Sequence, residues 1–307
     1  MTKLLPLLAV LPLAACGGGE PASEAPATAP AAAAPEAAAP VETAPEPSGI
    51  DAVLAAQPEA VQARYVYRKP AETMAFFGIE PGMTVVEALP GGGWYSKILL
   101  PYLGESGHLI GADYPYQLWM VNPNTTDQRR EEKKTWVADW TAQAEGWRSP
   151  GDASISAFQM AEMPESMNGT ADAVLFVRAL HNLARWESAG GTLTSALQDA
   201  YNVLKPGGIV GVIQHEARPD MPDEWADGSA GYLKRDFVIA QMESVGFELV
   251  DSTDIHANDK DQPTIDDIVW RLPPGLSGSQ DDPERREAML AIGESNRMTL
   301  KFRKPAA

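Results

Sequence analysis

The sequence predicts an α/β fold on a mostly parallel sheet, and three observations predict it. Thr84-Val85-Val86-Glu87 is a short β-branched run, followed by Gly91-Gly92-Gly93 and then an apolar helical stretch from Trp94 to Leu100. Gly107 to Asp113 forms a second apolar run that closes on an acid. Further strand-like runs, Ala171 to Val177 and Ile209 to Gln214, are separated by a helical segment from Gly190 to Val203. Strands alternating with helices give parallel βαβ units with helices on both faces of the sheet.

Ile50 to Ala63 carries an apolar stripe that Pro58 divides. Pro70 opens the next helix, Glu72 sits in its first turn and Gly78 follows its last residue, which are ordinary start and stop signals. Met74, Phe76 and Phe77 give that helix a face to bury beside the first strand, while Tyr65, Tyr67 and Arg68 either pack or line a cleft mouth. Glu80-Pro81-Gly82-Met83 is a turn leading into the first strand. The three glycines then let bare backbone approach a ligand, since a Cβ there would hold it off and forbid some turn dihedrals. Asp113 comes roughly 20 residues later, the spacing at which a βαβ unit sets a carboxylate beside a ribose.

Arg129 to Trp136 reads as a solvated connecting helix of mixed charge, and Ala153 to Phe158 as a weak third strand. The fourth strand delivers Arg178-Ala179-Leu180-His181-Asn182, and the fifth delivers His215-Glu216. Open α/β sheets bind ligands outside the carboxyl ends of their strands. His181, Asn182 and His215 are therefore candidates for orienting or deprotonating a substrate, histidine being the side chain that titrates near neutrality. The structural alternative has His181 and Asn182 capping the next helix or tying down a loop, and His215 as an exposed loop residue. Asp220 to Gly231 reads as a loop over the mouth, Leu233 to Ser244 as a helix, and Phe247 to Asp251 as the sixth strand. The polar stretch from His256 to Pro283 is too long for a plain connection and is expected to shape a pocket. Pro283 to Ile292 is helical, and Met298 to Phe302 alternates as a last strand.

Glu87-Ala88-Leu89-Pro90-Gly91-Gly92-Gly93 resembles the first motif of class I S-adenosylmethionine-dependent methyltransferases, with Leu89-Pro90 standing where that family usually has its first glycine. Leu204-Lys205-Pro206-Gly207-Gly208 resembles the family's turn before its fifth strand. The stretches Pro90 to Tyr95, Ala179 to Asn182 and Gly293 to Met298 resemble an exported bacterial subgroup of methyltransferases. The resemblance covers about 65–304. It implies a Rossmann-like sheet of seven strands, the last antiparallel between the fifth and sixth, and S-adenosyl-L-methionine as cofactor. On that likeness Glu87 and the turn of Leu89, Gly91, Gly92 and Gly93 hold the cofactor's amino-acid end, and Asp113 its ribose. Tyr114, Gln159, Met160 and Arg178 are the further cofactor-contacting positions. Gln159 stands where many members carry an adenine-binding acid, and an amide still donates and accepts hydrogen bonds.

At the N-terminus, Lys3 precedes the apolar run Leu4 to Leu13, which is too short to span a bilayer and reads as a signal segment. Leu13-Ala14-Ala15-Cys16 resembles the lipobox of bacterial lipoproteins, implying a lipid anchor at Cys16 and an envelope location, with Gly17 favouring the outer membrane. Cys16 is the only cysteine, so no intramolecular disulfide forms. Residues 17–49 are rich in Ala, Pro and Glu, contain no Lys or Arg, and read as a disordered tether. The expected organisation is thus a signal segment 1–16, a linker 17–49 and one domain 50–307.

The 307 residues carry a net charge of −18, so most of the surface would repel a nucleic-acid backbone. The four histidines show no short metal-ligand spacing, and Gly-x-Ser-x-Gly is absent. The glycines are contiguous rather than spaced Gly-x-Gly-x-x-Gly, against a nicotinamide dehydrogenase. Two functions remain: a methyltransferase acting on a small molecule or envelope component, or a non-catalytic envelope lipoprotein using the same fold as a ligand-binding or scaffold module.

Overall fold

The computed structural model describes residues 49–306; the expected signal segment, Cys16 and all of the expected linker but Gly49 lie outside them. Pro58 separates α1 (Ile50–Ala55) from α2 (Glu59–Gln62), as a ring without an N–H must. α3 (Tyr65–Arg68) and α4 (Pro70–Phe77) follow, and Gly78 ends α4 in the left-handed conformation. The first βαβ unit is β1 (Thr84–Ala88), α5 (Ser96–Leu103) and β2 (His108–Asp113). α5 starts two residues later than the sequence suggests, because Gly93, at φ 73°, keeps the chain in turns through Trp94 and Tyr95.

After β2 come α6 (Tyr116–Val121), α7 (Asp127–Lys134) and α8 (Trp136–Glu145). The helix expected over Arg129 to Trp136 is thus two, broken at Thr135, whose backbone leaves helical geometry. β3 (Ser154–Gln159), β4 (Ala171–Val177), α9 (Leu180–Ala184), α10 (Glu187–Gly190), α11 (Thr192–Val203) and β5 (Leu204–His215) complete the central sheet. β5 begins earlier than expected because Leu204 already pairs with Ala171. α12 (Arg235–Ser244), β6 (Glu248–Thr253), α13 (Pro283–Ile292) and β7 (Arg297–Arg303) end the chain.

The strand order is β3-β2-β1-β4-β5-β7-β6. β1 to β5 pair in parallel, and β7 runs antiparallel to both β5 and β6, as expected of the last strand. Both faces of the sheet are covered. Val86, Ile110, Phe176 and Val212 point to one face, against Leu193, Ala196, Leu197 and Ala200 of α11 and Val238 and Met242 of α12. Their neighbours Val85, Leu109 and Leu175 point to the other, against Met74 and Phe77 of α4 and Leu99, Leu100 and Leu103 of α5. Period-two alternation with both faces buried explains why these strands read as unbroken apolar runs. α11 buries positions 193, 196, 197, 200 and 203, the stripe a 3.6-residue period requires. The order reverses between β1 and β4, and the chain leaving both strands meets at that carboxyl edge.

Candidate functional site

The turn after β1 is tightly constrained. Leu89 sits at φ 53° with its N–H donating to the Ala112 carbonyl at 2.7 Å, which ties the turn to β2. The three glycines serve different needs. Gly91 has φ 54°, a backbone state few side chains adopt. Gly93 has φ 73°, and a Cβ on it would meet the Trp147 ring at 2.4 Å. Gly92 has neither constraint: an added Cβ would find nothing within 4 Å. What lies in front of Gly92 is open cleft.

Two cavities of about 490 and about 500 Å³ flank the turn and share Leu89 and Gly91 in their walls. Toward β2 the walls include Asp113, Tyr114, Trp119, Lys133 and Trp136. Asp113 Oδ2 accepts from Lys133 Nζ at 2.6 Å, and both side chains are buried. Burial raises the Asp113 carboxyl above its ordinary range, against the opposing pull of Lys133. The Lys133 ammonium also lies 4.7 Å from the Trp119 ring centre and 5.8 Å from that of Trp136. Among the described residues no side chain donates to Asp113 Oδ1.

Gln159 and Met160 do not line this wall. The Gln159 amide donates to the Lys133 carbonyl at 3.0 Å, and Met160 is packed in the core. Glu87 is buried under the turn, accepts from Ser96 Oγ at 2.5 Å and lines neither cavity. Burial pushes its carboxyl up to about 7, although the Ser96 bond and the Arg178 charge pull the other way.

Toward β4 and β5 the second cavity is lined by Trp94, Arg178, His181, Asn182, His215, Glu294 and Arg297, among others. His181 and His215 come from neighbouring strand ends, with ring centres 5.2 Å apart. Gln214 fixes the His181 tautomer. Its Nε2 donates to the Gly231 and His215 carbonyls at 3.1 and 3.2 Å, so its Oε1 must accept from His181 Nδ1 at 3.2 Å. The proton is then on Nδ1, and the Nε2 lone pair of His181 is unused among the described side chains. Burial holds His181 down to about 4, with the Arg178 and Arg185 charges adding to it and the Gln214 bond opposing. His215 pairs with Ser295 Oγ at 2.5 Å and is likewise held well below its ordinary value by burial and by His181. His215 is buried, so the reading of it as an exposed loop histidine fails. Asn182 lines the cavity, and its side chain has no partner among the described residues.

The other two histidines are structural. His108 bonds Ser154 and Ser156 on β3, and His256 bonds the Arg68 carbonyl and Thr299. The long stretch after His256 does shape the pocket: Val269, Trp270, Leu272, Pro273 and Pro274 form one wall. The segment from Asp220 to Gly231 supports the site from behind, since a Cβ on Gly228 would meet the His181 carbonyl at 2.4 Å.

The most highly charged feature of the cavity is one that sequence reasoning missed. Glu294 is a hub for three guanidiniums: Arg64 Nε at 2.8 Å, Arg68 Nε at 3.4 Å, and Arg297 Nη2. Burial pushes Glu294 up, but Arg297, Arg68 and Arg64 together hold it below its usual range. Arg64 and Glu294 are 230 positions apart, and no local pattern announces the contact. Among the described residues no three His, Cys, Asp or Glu side chains converge as a metal site.

No family model matches the chain, and no curated protein matches it. Several solved structures are similar to the chain at low identity. A [4+2]-cyclase, SpnF, is 17% identical over 78% of this chain and 81% of its own, with a TM-score of 0.48. A SAM-dependent methyltransferase from Aquifex aeolicus is 15% identical over 81% and 98%, at 0.44. A putative methyltransferase from Haloferax volcanii, in complex with the Trm112 activator, is 17% identical over 83% and 97%, at 0.47.

Proposed function

We propose that the chain is an S-adenosyl-L-methionine-dependent methyltransferase acting on a small molecule or a cell-envelope component. One observation carries the reading: Gly92 faces open cleft at the switch point of a sheet ordered 3-2-1-4-5-7-6, with an acid at the end of β2. The residues present fit the cofactor. Gly91 and Gly92 offer bare backbone, Leu89 and Tyr114 apolar wall, and Asp113 a carboxylate acceptor for a ribose hydroxyl.

When bound, S-adenosylmethionine supplies an electrophilic methyl group on a sulfonium that is already a good leaving group. The chain's own task is then to align a nucleophile and exclude water, and alignment of this kind removes up to about 7–11 kcal/mol of barrier. His181 is the residue placed to do it. It lines the cavity, its Nε2 makes no side-chain hydrogen bond among the described residues, and Gln214 locks the ring. A histidine held down to about 4 is a weak base, so its role is to accept a hydrogen bond and orient the nucleophile rather than to strip a strongly held proton. His215 and Asn182 complete the same wall.

Calorimetric titration of S-adenosylmethionine and S-adenosylhomocysteine into the full-length chain tests the reading, with micromolar binding expected. Absence of binding by folded protein would sink it. The non-catalytic alternative is favoured by one contact, since Lys133 already occupies Asp113 Oδ2. It requires that no acceptor turns over and that His181→Ala leaves the biological phenotype intact. The lipid anchor at Cys16 and an envelope location belong to the same proposal. Cys16→Ser should move the chain from the membrane to the soluble fraction, and unchanged fractionation would remove the anchor.

A further inference from the structure

The chain carries −18 overall, yet the cavity beside His181 is cationic. Arg68, Lys97, Arg178 and Arg297 line it, and Glu294 is the only carboxylate among its described walls. Glu294 has no capacity to spare. Its Oε1 accepts from Arg64 and Arg68, and its Oε2 from Arg297. Lys97 is turned to the Gly92 carbonyl at 3.2 Å and to the Trp147 ring. Arg178 is different. Among the described residues its guanidinium reaches no acceptor, and the side chain stands in the cavity wall at the end of β4. Its backbone is held at φ 55°, with its N–H on the Ile213 carbonyl at 2.6 Å. A non-glycine residue in that state is costly and persists only where the surroundings enforce it.

We infer that Arg178 is the anchor for an oxyanion, carboxylate or phosphate, carried by the methyl acceptor. A guanidinium left unpaired in a half-buried cavity is costly, and a planar fork of donors matches both anions in bidentate fashion. S-adenosylmethionine carries one carboxylate against an ammonium and a sulfonium, so its net single positive charge leaves the surplus of the cavity in place, and the Arg178→Gln variant separates its carboxylate from that of the acceptor as the partner of Arg178. The rest of the acceptor is apolar: Trp270, Leu272, Pro273 and Pro274 face the same space, and Trp270 lies 5.9 Å, ring centre to ring centre, from His181. The acceptor is therefore a small amphipathic acid, its anion on Arg178 and its nucleophile beside His181 Nε2. This deepens the methyltransferase proposal and rests on it.

The test is calorimetric, on the full-length chain saturated with S-adenosylhomocysteine, using benzoate and inorganic phosphate as probes. At least one anion should bind the wild type, weaken at least tenfold in Arg178→Gln, and weaken less than twofold in Arg286→Gln, an exposed residue of α13 that lines neither cavity. The tighter probe identifies the anion as carboxylate or phosphate. Arg178→Lys keeps the charge without the fork and should fall between, which keeps the question open to measurement if the glutamine variant does not fold. Binding of neither anion to the loaded wild type would overturn the inference. So would an Arg178→Gln variant that loses S-adenosylhomocysteine while keeping the anion, since Arg178 would then serve the cofactor. If S-adenosylhomocysteine fails to bind while an anion binds through Arg178, the anion site stands and the methyltransferase reading falls.

Discussion

Gly92 and Gly93 are adjacent, and the structure assigns them opposite sensitivities. Gly92→Ala adds a methyl group that meets nothing within 4 Å, on a backbone with ordinary φ. The fold should not suffer. Replacing glycine where its conformation suits alanine commonly stabilises by about 0.4–1 kcal/mol through the unfolded chain. The same methyl projects into the cleft where the cofactor's backbone contacts are proposed, so S-adenosylhomocysteine should bind at least tenfold more weakly, a loss of about 1.4 kcal/mol or more. Gly93→Ala does the reverse. Its Cβ would lie 2.4 Å from Trp147 at φ 73°, so overpacking and backbone strain together should cost about 2–4 kcal/mol of stability. Urea denaturation and calorimetric titration of both variants separate the two effects. A Gly92→Ala variant that binds S-adenosylhomocysteine like wild type, or that is destabilised as much as Gly93→Ala, would refute the assignment of Gly92 to the ligand.

The remaining predictions concern buried charge. Lys133→Met leaves the Asp113 carboxylate buried without its partner and should cost about 3–5 kcal/mol in urea melts, while Lys133→Met combined with Asp113→Asn should recover most of that loss. Glu87 keeps its proton up to about pH 7, whereas the unfolded chain releases it near 4.5. The native state binds more protons between those values, so this group costs stability as pH rises through the window, by about 3 kcal/mol once it is passed. Glu87→Gln should therefore be more stable than wild type at pH 8 and indistinguishable from it at pH 4.5, and equal stability at both would remove the assignment. His181 and His256 are held down to about 4, and His215 is also lowered, so the unfolded chain takes up protons first below pH 6.5. Each histidine should contribute up to about 1.4 kcal/mol of lost stability per pH unit on acidification toward 4, and His256→Gln should flatten the pH–stability curve.

Local sequence is enough to lay out the sheet and to nominate candidate residues at its carboxyl edge. Both faces of the central strands are buried, so they show as apolar runs, and glycine and proline mark most of the turns between them. Asp113, Leu89, Gly91 and Gly92 were legible because strand, glycine turn and acid are local features at fixed spacing. His181, Asn182 and His215 were legible because a strand's carboxyl end fixes where the following residues emerge. What each side chain does there depends on contacts between distant segments. Nothing near Asp113 in the chain shows that Lys133, in the second helix after it, takes one of its oxygens, or that the Lys133 carbonyl occupies the Gln159 amide. Glu87 reads as a ligand-holding acid, and the fold buries it against Ser96. The Glu294 hub joins arginines from α3 and its approach to a glutamate and an arginine at the start of β7, some 230 positions away. Local propensity and periodicity carry no record of such a contact, because it is made only when the sheet closes and β7 inserts between β5 and β6. The cationic cavity and the unpaired Arg178 in its wall are products of that closure.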